Sequence, residues 1–331
     1  MNPPTGHAVP PTFDVHLHDD WRMRALVDEV RSGLTSAPKQ LTPRWLYDDR
    51  GSELFDQITR LPEYYPTEAE REILLARAGE IARRTGADTL VELGSGTSDK
   101  TRALLDAFEA TGRLRRFVPF DVSEQTLRYA ASVLADRHPG LHVHGVVGDF
   151  HEHLGDVPND GVPVLAFLGS TIGNFYPSER ARFFDEVADW MTDEAWFLLG
   201  VDLVKPVDRL MAAYNDAAGI TARFTINLLD VLNGELAADF DPSGFEHVGL
   251  WDPIHTRVDL RLRSLRDQHV SIIGADLEVE FGDGEELKVE ISTKFTREQI
   301  AGELDDAGIA VEQFWTDSGG DVAVLLARRA G

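Results

Sequence analysis

The chain has no cysteine among its 331 residues. That absence excludes a disulfide framework, a thiolate nucleophile and a zinc site built on cysteine sulfur. Basic residues are scarce as well: Lys plus Arg total 32 against 57 Asp plus Glu, for a formal charge of −25. A surface that acidic repels phosphate backbones and anionic headgroups, so no nucleic acid and no membrane is expected as a partner. No window approaches the roughly 18 consecutive apolar residues of a membrane span. The N-terminal MNPPTGHAVPPTFDVHLHDD lacks a basic start and an apolar run, so no secretory signal is expected. What remains is the composition of a globular, cytoplasmic protein, expected to be a monomer, with 43% hydrophobic residues available for a core.

Texture divides the chain. Residues 1–15, rich in Pro, Thr and Gly, read as a flexible tail. Residues 19–85 look helical, with an apolar stripe at Trp21, Leu26, Val27 and Val30, a stop at Gly33, and Thr67 as the cap of the helix EAEREILLARAGEIARRTG. From residue 88 short apolar runs (DTLVELG, RRFVPFDVS, LHVHGVVGDF, VPVLAFLGST, AWFLLGVDLV) alternate with amphipathic helices. This is the pattern of βαβ units and a parallel sheet covered on both faces. After Lys205 it gives way to helices and then, over 245–293, to alternating strands; the run DLEVEFGDGEELKVEISTKF carries an Asp-Gly turn at Asp283–Gly284. The α/β texture returns near residue 294. The sequence therefore predicts an α/β domain interrupted by an insertion at about 205–293, on which the N-terminal helices would pack or else lie against the sheet.

The strongest local signal is Val91-Glu92-Leu93-Gly94-Ser95-Gly96-Thr97, at the end of the first strand of that sheet. Glycines there let backbone approach a ligand closely as the next helix begins. The third glycine of a dinucleotide fingerprint is missing, which speaks against a nicotinamide enzyme. Instead an acid stands two residues before the first glycine, and E-x-G-x-G resembles the S-adenosylmethionine loop of class I methyltransferases. The second strand ends at Asp121, placed to accept ribose hydroxyls. The third ends at Asp149-Phe150, an acid for the adenine amino group and a ring to cover the base. The fourth ends in GSTIGNF, where Asn174 can offer its amide to a substrate. Each also has a plain structural use: Asp121 as a helix cap, Asp149 as a turn residue, Gly-Asn as a turn former.

The runs LPEYYPTEAE, LVELGSGTSDKTR, FVPFDVS, GDFHEHL, FLGSTIGNF, GVDLVK, AYNDAAGITARFTIN and FEHV resemble the histidine Nα-methyltransferase family of ergothioneine biosynthesis, and the similarity extends over nearly all of residues 20–329. The resemblance implies a Rossmann-like class I methyltransferase sheet (69–204 with 294–331) and a second, α+β substrate-binding domain (16–68 with 205–293). It implies S-adenosyl-L-methionine as methyl donor, no metal, and L-histidine with its mono- and dimethylated intermediates as partners, the product being hercynine. By resemblance the donor residues are Gly94, Lys100, Asp121, Asp149 and Phe150. The substrate residues are Tyr64, Asn174, Tyr214, Glu290 and Ser292, with Asn174 and Tyr214 at the amino-acid end and Glu290 and Ser292 at the imidazole. Leu260 stands where some close family members are expected to have methionine, a swap that conserves volume.

These assignments agree with elementary chemistry. Glu290 and Ser292 are two residues apart and so share a strand face; a carboxylate plus a hydroxyl can read an imidazole in either protonation state. Lys100 opens the helix after the glycine loop, in reach of the donor's carboxylate. No histidine–carboxylate dyad stands out as a base, so the amine's proton is expected to leave to water or through Tyr64. The pairs His16/His18, His142/His144 and His151/His153 lack the converging third ligand that a metal needs. Transfer to another amino acid or amine, or donor binding without turnover, are the readings that compete with this one.

Overall fold

The computed structural model describes residues 9–17, 20–96 and 101–331. The chain forms two compact units, Met1–His18 with Glu68–Leu203 and Phe295–Gly331, and Asp19–Thr67 with Val204–Lys294.

The first unit contains β1 (Thr12–Val15), β2 (Thr89–Leu93), β3 (Arg116–Asp121), β4 (His142–Val147), β5 (Pro163–Phe167), β6 (Trp196–Asp202), β12 (Ile309–Thr316) and β13 (Val322–Arg329). They form one sheet in the order β1-β4-β3-β2-β5-β6-β13-β12. The strands from β1 to β6 pair in parallel, and β13 runs antiparallel to both β6 and β12. TLVEL and PVLAF, the two central strands, are buried at every residue, which is why they read as unbroken apolar runs rather than alternating ones. A phenylalanine cluster including Phe167, Phe183, Phe184 and Phe197 fills one face. Strand order reverses between β2 and β5, and in a sheet of this Rossmann-like kind the crevice at the carboxyl ends of those strands is the ligand position.

The second unit holds the helices Trp21–Leu34, Asp49–Ile58, Val207–Tyr214 and Ile220–Leu236. Its strands are β7 (Phe245–Asp252), β8 (Arg257–Ser264), β9 (Gln268–Ile272), β10 (Leu277–Phe281) and β11 (Glu286–Thr293). They divide into an antiparallel three-stranded sheet, β11-β8-β7, and the hairpin β9-β10. Asp48 ties two helices together: its Oδ1 accepts the Gly51 N–H at 2.7 Å as an N-cap and the Asn227 side-chain N–H at 2.7 Å.

Four local expectations need correction. Residues 12–15 are not tail but an edge strand. Phe13 sits against Gly145, where any Cβ would come within 2.7 Å of the ring, Arg128 lies 4.3 Å from that ring's centroid, and the Thr12 hydroxyl bonds His142 and His144. Gly33 does not end its helix, which runs to Leu34; a Cβ there would lie 2.0 Å from the carbonyl oxygen of Gln40, so the glycine serves close backbone approach. Thr67 is not the cap of its helix, which begins at Pro66, a residue suited to the first turn because no N–H is required there. The Asp283–Gly284 turn exists, with Gly284 at φ +80°, yet its flanking strands do not pair. β10 pairs with β9 and β11 with β8, so the turn hands the chain from one sheet to another.

Candidate active site

In the first unit the glycine loop leaves β2 and folds back over the end of β3. The N–H groups of Gly94 and Ser95 both donate to the Phe120 carbonyl, at 2.9 and 3.1 Å, and the Gly96 N–H donates to Asp121 Oδ2 at 2.9 Å. Gly94 and Gly96 have φ of +66° and +48°, a region open to glycine and costly for other residues. Among the described residues, a Cβ on either would meet nothing within 4 Å. None of the described residues fills the space over the two glycines.

Asp121 does not cap the following helix; Ser123 does. The Asp121 carboxylate instead accepts from Gly96 and, through Oδ1, from the Ser123 N–H at 2.9 Å. With the Val122 N–H as a third donor, the carboxylate keeps one acceptor site for a hydroxyl. Burial raises its pKa above the ordinary aspartate range, opposed by the backbone N–H groups of Ser123, Gly96 and Val122. Asp149 is buried at the end of β4, where its carbonyl accepts from the N–H of His153 at 2.8 Å. Phe150 packs on the phenylalanine cluster, with its centroid 5.5 Å from Phe167 and 5.9 Å from Phe175, stacked on the latter. Lys100 lies outside the described residues.

Asn174 ends a short 3-10 turn after β5 (Thr171–Asn174). That loop is anchored twice. Glu70 Oε1, on the helix Pro66–Thr85, accepts the Gly169 N–H at 2.7 Å. Ser170, at φ +58°, accepts the Asp202 N–H on its hydroxyl at 2.8 Å. A non-glycine residue in that region costs about 1–2 kcal/mol, and the Ser170–Asp202 bond helps hold it there. Glu70 is 1% exposed; nothing in its helical surroundings marked it in the sequence.

In the second unit Glu290 and Ser292 share a face of β11, opposite Leu260 and Val258 of β8. A register shift between Lys288 and Glu290 marks a bulge immediately before them, the kind of irregularity that re-aims side chains. Leu260 is buried and directly across from Glu290. The Tyr214 hydroxyl lies 2.8 Å from Ser292 Oγ. Tyr64 meets the Tyr214 ring edge-on at 6.4 Å and Phe55 at 6.2 Å.

The sequence did not point to Tyr47, Phe55, Phe224 or Lys294. Tyr47 packs edge-on against Phe55 and Phe224, each at 5.3 Å. Burial of its phenol, then the charge of Glu290 and the neighbouring Tyr64 and Tyr214, push the Tyr47 pKa well above the ordinary tyrosine range. It stays a proton donor. Lys294 is fully buried, and its Nζ donates to both Tyr214 and Ser292. Only the folding of four separate segments assembles this aromatic, carboxylate-bearing cluster.

Among the described residues, the paired histidines have other partners: Thr12 also bonds His142 at 2.9 Å. His144 bonds Thr12 and Asp14, at 2.7 and 3.0 Å, and His16 stacks on His153 at 5.4 Å; His18 lies outside the described residues. Among the described residues, Asp106, Glu109 and His138 come close enough to share an ion, but His138 Nδ1 bonds Glu109 at 2.7 Å and Asp106 pairs with Arg137 at 3.0 Å.

A parallel sheet with a glycine loop at its switch point and an acid at the next strand end defines a nucleoside-binding α/β protein. Over residues 26–329 the chain belongs to the S-adenosylmethionine-dependent, histidine-specific methyltransferase family. It is 51% identical to the histidine N-alpha-methyltransferase of Mycolicibacterium smegmatis, over 95% of this chain and 98% of that one. It is 49% identical, with the same coverage, to the protein of that name from Mycobacterium tuberculosis. Ergothioneine biosynthesis protein 1 of Neurospora crassa is 31% identical over 90% of this chain, which spans 35% of that longer protein. Among solved structures, an S-adenosylmethionine-dependent methyltransferase from Clostridium acetobutylicum is similar over 85% of this chain and 99% of that one, at 10% identity and a TM-score of 0.49.

Proposed function

We propose that the protein transfers methyl groups from S-adenosyl-L-methionine to the α-amine of L-histidine, three times in succession, giving hercynine as the first step of ergothioneine biosynthesis. The observation that carries the histidine assignment is the face of β11: Glu290 and Ser292 side by side, Leu260 opposite, and the Tyr214 hydroxyl on Ser292. We further propose that the enzyme is a cytoplasmic monomer that works without a metal, its partners being histidine and the mono- and dimethylated intermediates.

The residues of the first unit suit the donor. Gly94 and Gly96 let it lie on the backbone, Asp121 has an acceptor site for a ribose hydroxyl, Asp149 faces the adenine amino group, Phe150 covers the base, and Lys100 pairs with its carboxylate. The donor supplies a sulfonium methyl group, and displacement from it is in-line, so most of the catalysis falls to positioning. Asn174 and Tyr214 hold the amino-acid end of histidine, while Glu290 and Ser292 hold the ring. Held at both ends, the substrate keeps its nitrogen fixed through each round. The attacking amine must be neutral, and a free α-amine titrates near ~8; Tyr64 gives its proton a path to water.

Mass spectrometry of L-histidine incubated with the protein and S-adenosyl-L-methionine tests the reading. The expected product carries three added methyl groups on the α-nitrogen. Donor binding without a histidine product would overturn the substrate and turn the search to other amino acids and amines.

A further inference from the structure

His247, on β7, joins two helices. Its Nε2 lies 3.0 Å from the backbone carbonyl of Tyr214, the last residue of the helix Val207–Tyr214. Its Nδ1 lies 2.9 Å from the hydroxyl of Thr225, on the helix Ile220–Leu236. A carbonyl only accepts, so Nε2 carries a proton and donates it. Burial holds the ring's pKa below the ordinary histidine range, against the Tyr214 carbonyl and the charge of Asp216. The imidazole is therefore neutral, and Nδ1 accepts from the Thr225 hydroxyl. Both ring nitrogens are engaged within the protein.

Two residues further along the same face of β7, Gly249 receives the side chain next to Tyr214. The Gly249 N–H donates to Asn215 Oδ1 at 3.2 Å, and its carbonyl accepts from Asn215 Nδ2 at 3.4 Å. A Cβ at Gly249 would come within 2.7 Å of Asn215 Oδ1 and 2.8 Å of Nδ2. The amide can lie on the strand only because this position has no side chain. Tyr214 and Asn215 are thus both tied to β7, while the Tyr214 hydroxyl lies 2.8 Å from Ser292 Oγ on β11.

We propose that His247 and Gly249 are positioning residues: they clip the end of the helix Val207–Tyr214 to β7, fixing where the Tyr214 hydroxyl meets the amino-acid end of the substrate. The inference rests on the histidine reading given above. His247 acts in it through Tyr214 and not as a base.

Calorimetry with S-adenosylhomocysteine, and with L-histidine in its presence, compares the full-length protein with His247→Leu and His247→Gln. The leucine removes both ring bonds and should raise the histidine dissociation constant roughly tenfold, with S-adenosylhomocysteine affinity unchanged. The glutamine puts an amide N–H where Nε2 stands and should restore most of that loss. In a Tyr214→Phe background His247→Leu should cost nothing further, because no hydroxyl remains to be placed. An equal additional loss in that background would show a merely structural histidine and overturn the proposal. A glutamine variant as weak as the leucine one would overturn it too. Should His247→Leu not fold, Gly249→Ala decides, since its methyl group displaces only the end of the Asn215 side chain. Weaker histidine binding that disappears in the Tyr214→Phe background supports the proposal, and unchanged binding overturns it. A wild-type protein that binds S-adenosylhomocysteine but not histidine would overturn the substrate reading and this proposal with it. Wild-type histidine affinity in His247→Leu would overturn this proposal and leave that reading standing.

Discussion

The Gly96 N–H donates to Asp121 Oδ2 at 2.9 Å, joining the loop after β2 to the end of β3 across 25 residues of sequence. Asp121 thus holds the loop, and in the proposed function the same carboxylate also meets the donor's ribose.

The raised pKa of Asp121 gives donor binding a pH dependence. Burial favours its protonated form, and only the ionised form has all its lone pairs free to accept. As pH falls through that raised pKa a proton competes with the ligand, so affinity declines from a higher pH than for an ordinary aspartate near ~3.9. Calorimetry with S-adenosylhomocysteine over a series of falling pH, carried down to where the protein remains folded, should show weakening toward acid in the wild type. In Asp121→Asn binding should be weaker throughout and flat with pH; a flat wild-type profile would remove Asp121 from the ligand.

Gly96→Ala separates fold from binding. The added Cβ meets none of the described residues within 4 Å, so the cost expected from them is backbone strain at φ +48°, about 1–2 kcal/mol. The methyl group would occupy the place a ligand must take. A modest fall in melting temperature with a loss of donor affinity of about tenfold or more is expected, and full affinity would mean that the donor does not lie on this loop.

Glu290→Ala should weaken histidine and spare the donor. Hydrogen bonds to charged groups contribute about 1.5–3 kcal/mol, which corresponds to roughly a ten- to hundredfold rise in the histidine dissociation constant. Calorimetry with each ligand separately makes the comparison. Equal losses for both would point to a damaged fold instead of a lost contact.

Arg180 supports the loop behind Asn174. It is 3% exposed, pairs with both oxygens of Glu303 at 2.8 Å and donates to the Phe175 carbonyl at 2.8 Å. Arg180→Met removes a buried guanidinium from Glu303, which keeps the Gln299 amide at 3.0 Å, and a donor from the Phe175 carbonyl, costing about 1.5–3 kcal/mol. Scanning calorimetry should show the unfolding transition several degrees lower; an unchanged transition would mean that the ion pair contributes nothing net.

Much of the first unit could be read directly from sequence, because its signals are local. TLVEL and PVLAF are apolar at every position since both faces are covered, and Gly94, Gly96 and Asp121 follow from the end of one strand and the next. The second unit resisted that reading. β8 to β11 look like two long alternating runs, but alternation does not say which strand pairs with which, and the Asp-Gly turn suggested a hairpin that the β9-β10 and β8-β11 pairings exclude. Thr12–Val15 is too short and too polar to announce a strand; only the edge of β4 makes it one.

Sequence alone determined the parallel sheet, the glycine loop, the strand-end acids and the shared face of Glu290 and Ser292, since periodicity and spacing act over a few residues. It could not determine that Tyr47, Phe55, Tyr64 and Phe224 gather into one aromatic cluster, that Glu70 anchors the Asn174 loop, or that Lys294 lies beneath Tyr214 and Ser292. Those follow from tertiary structure. A lysine enters a core only where acceptors wait for its donors, and here one of those acceptors, Tyr214, lies 80 residues away in sequence.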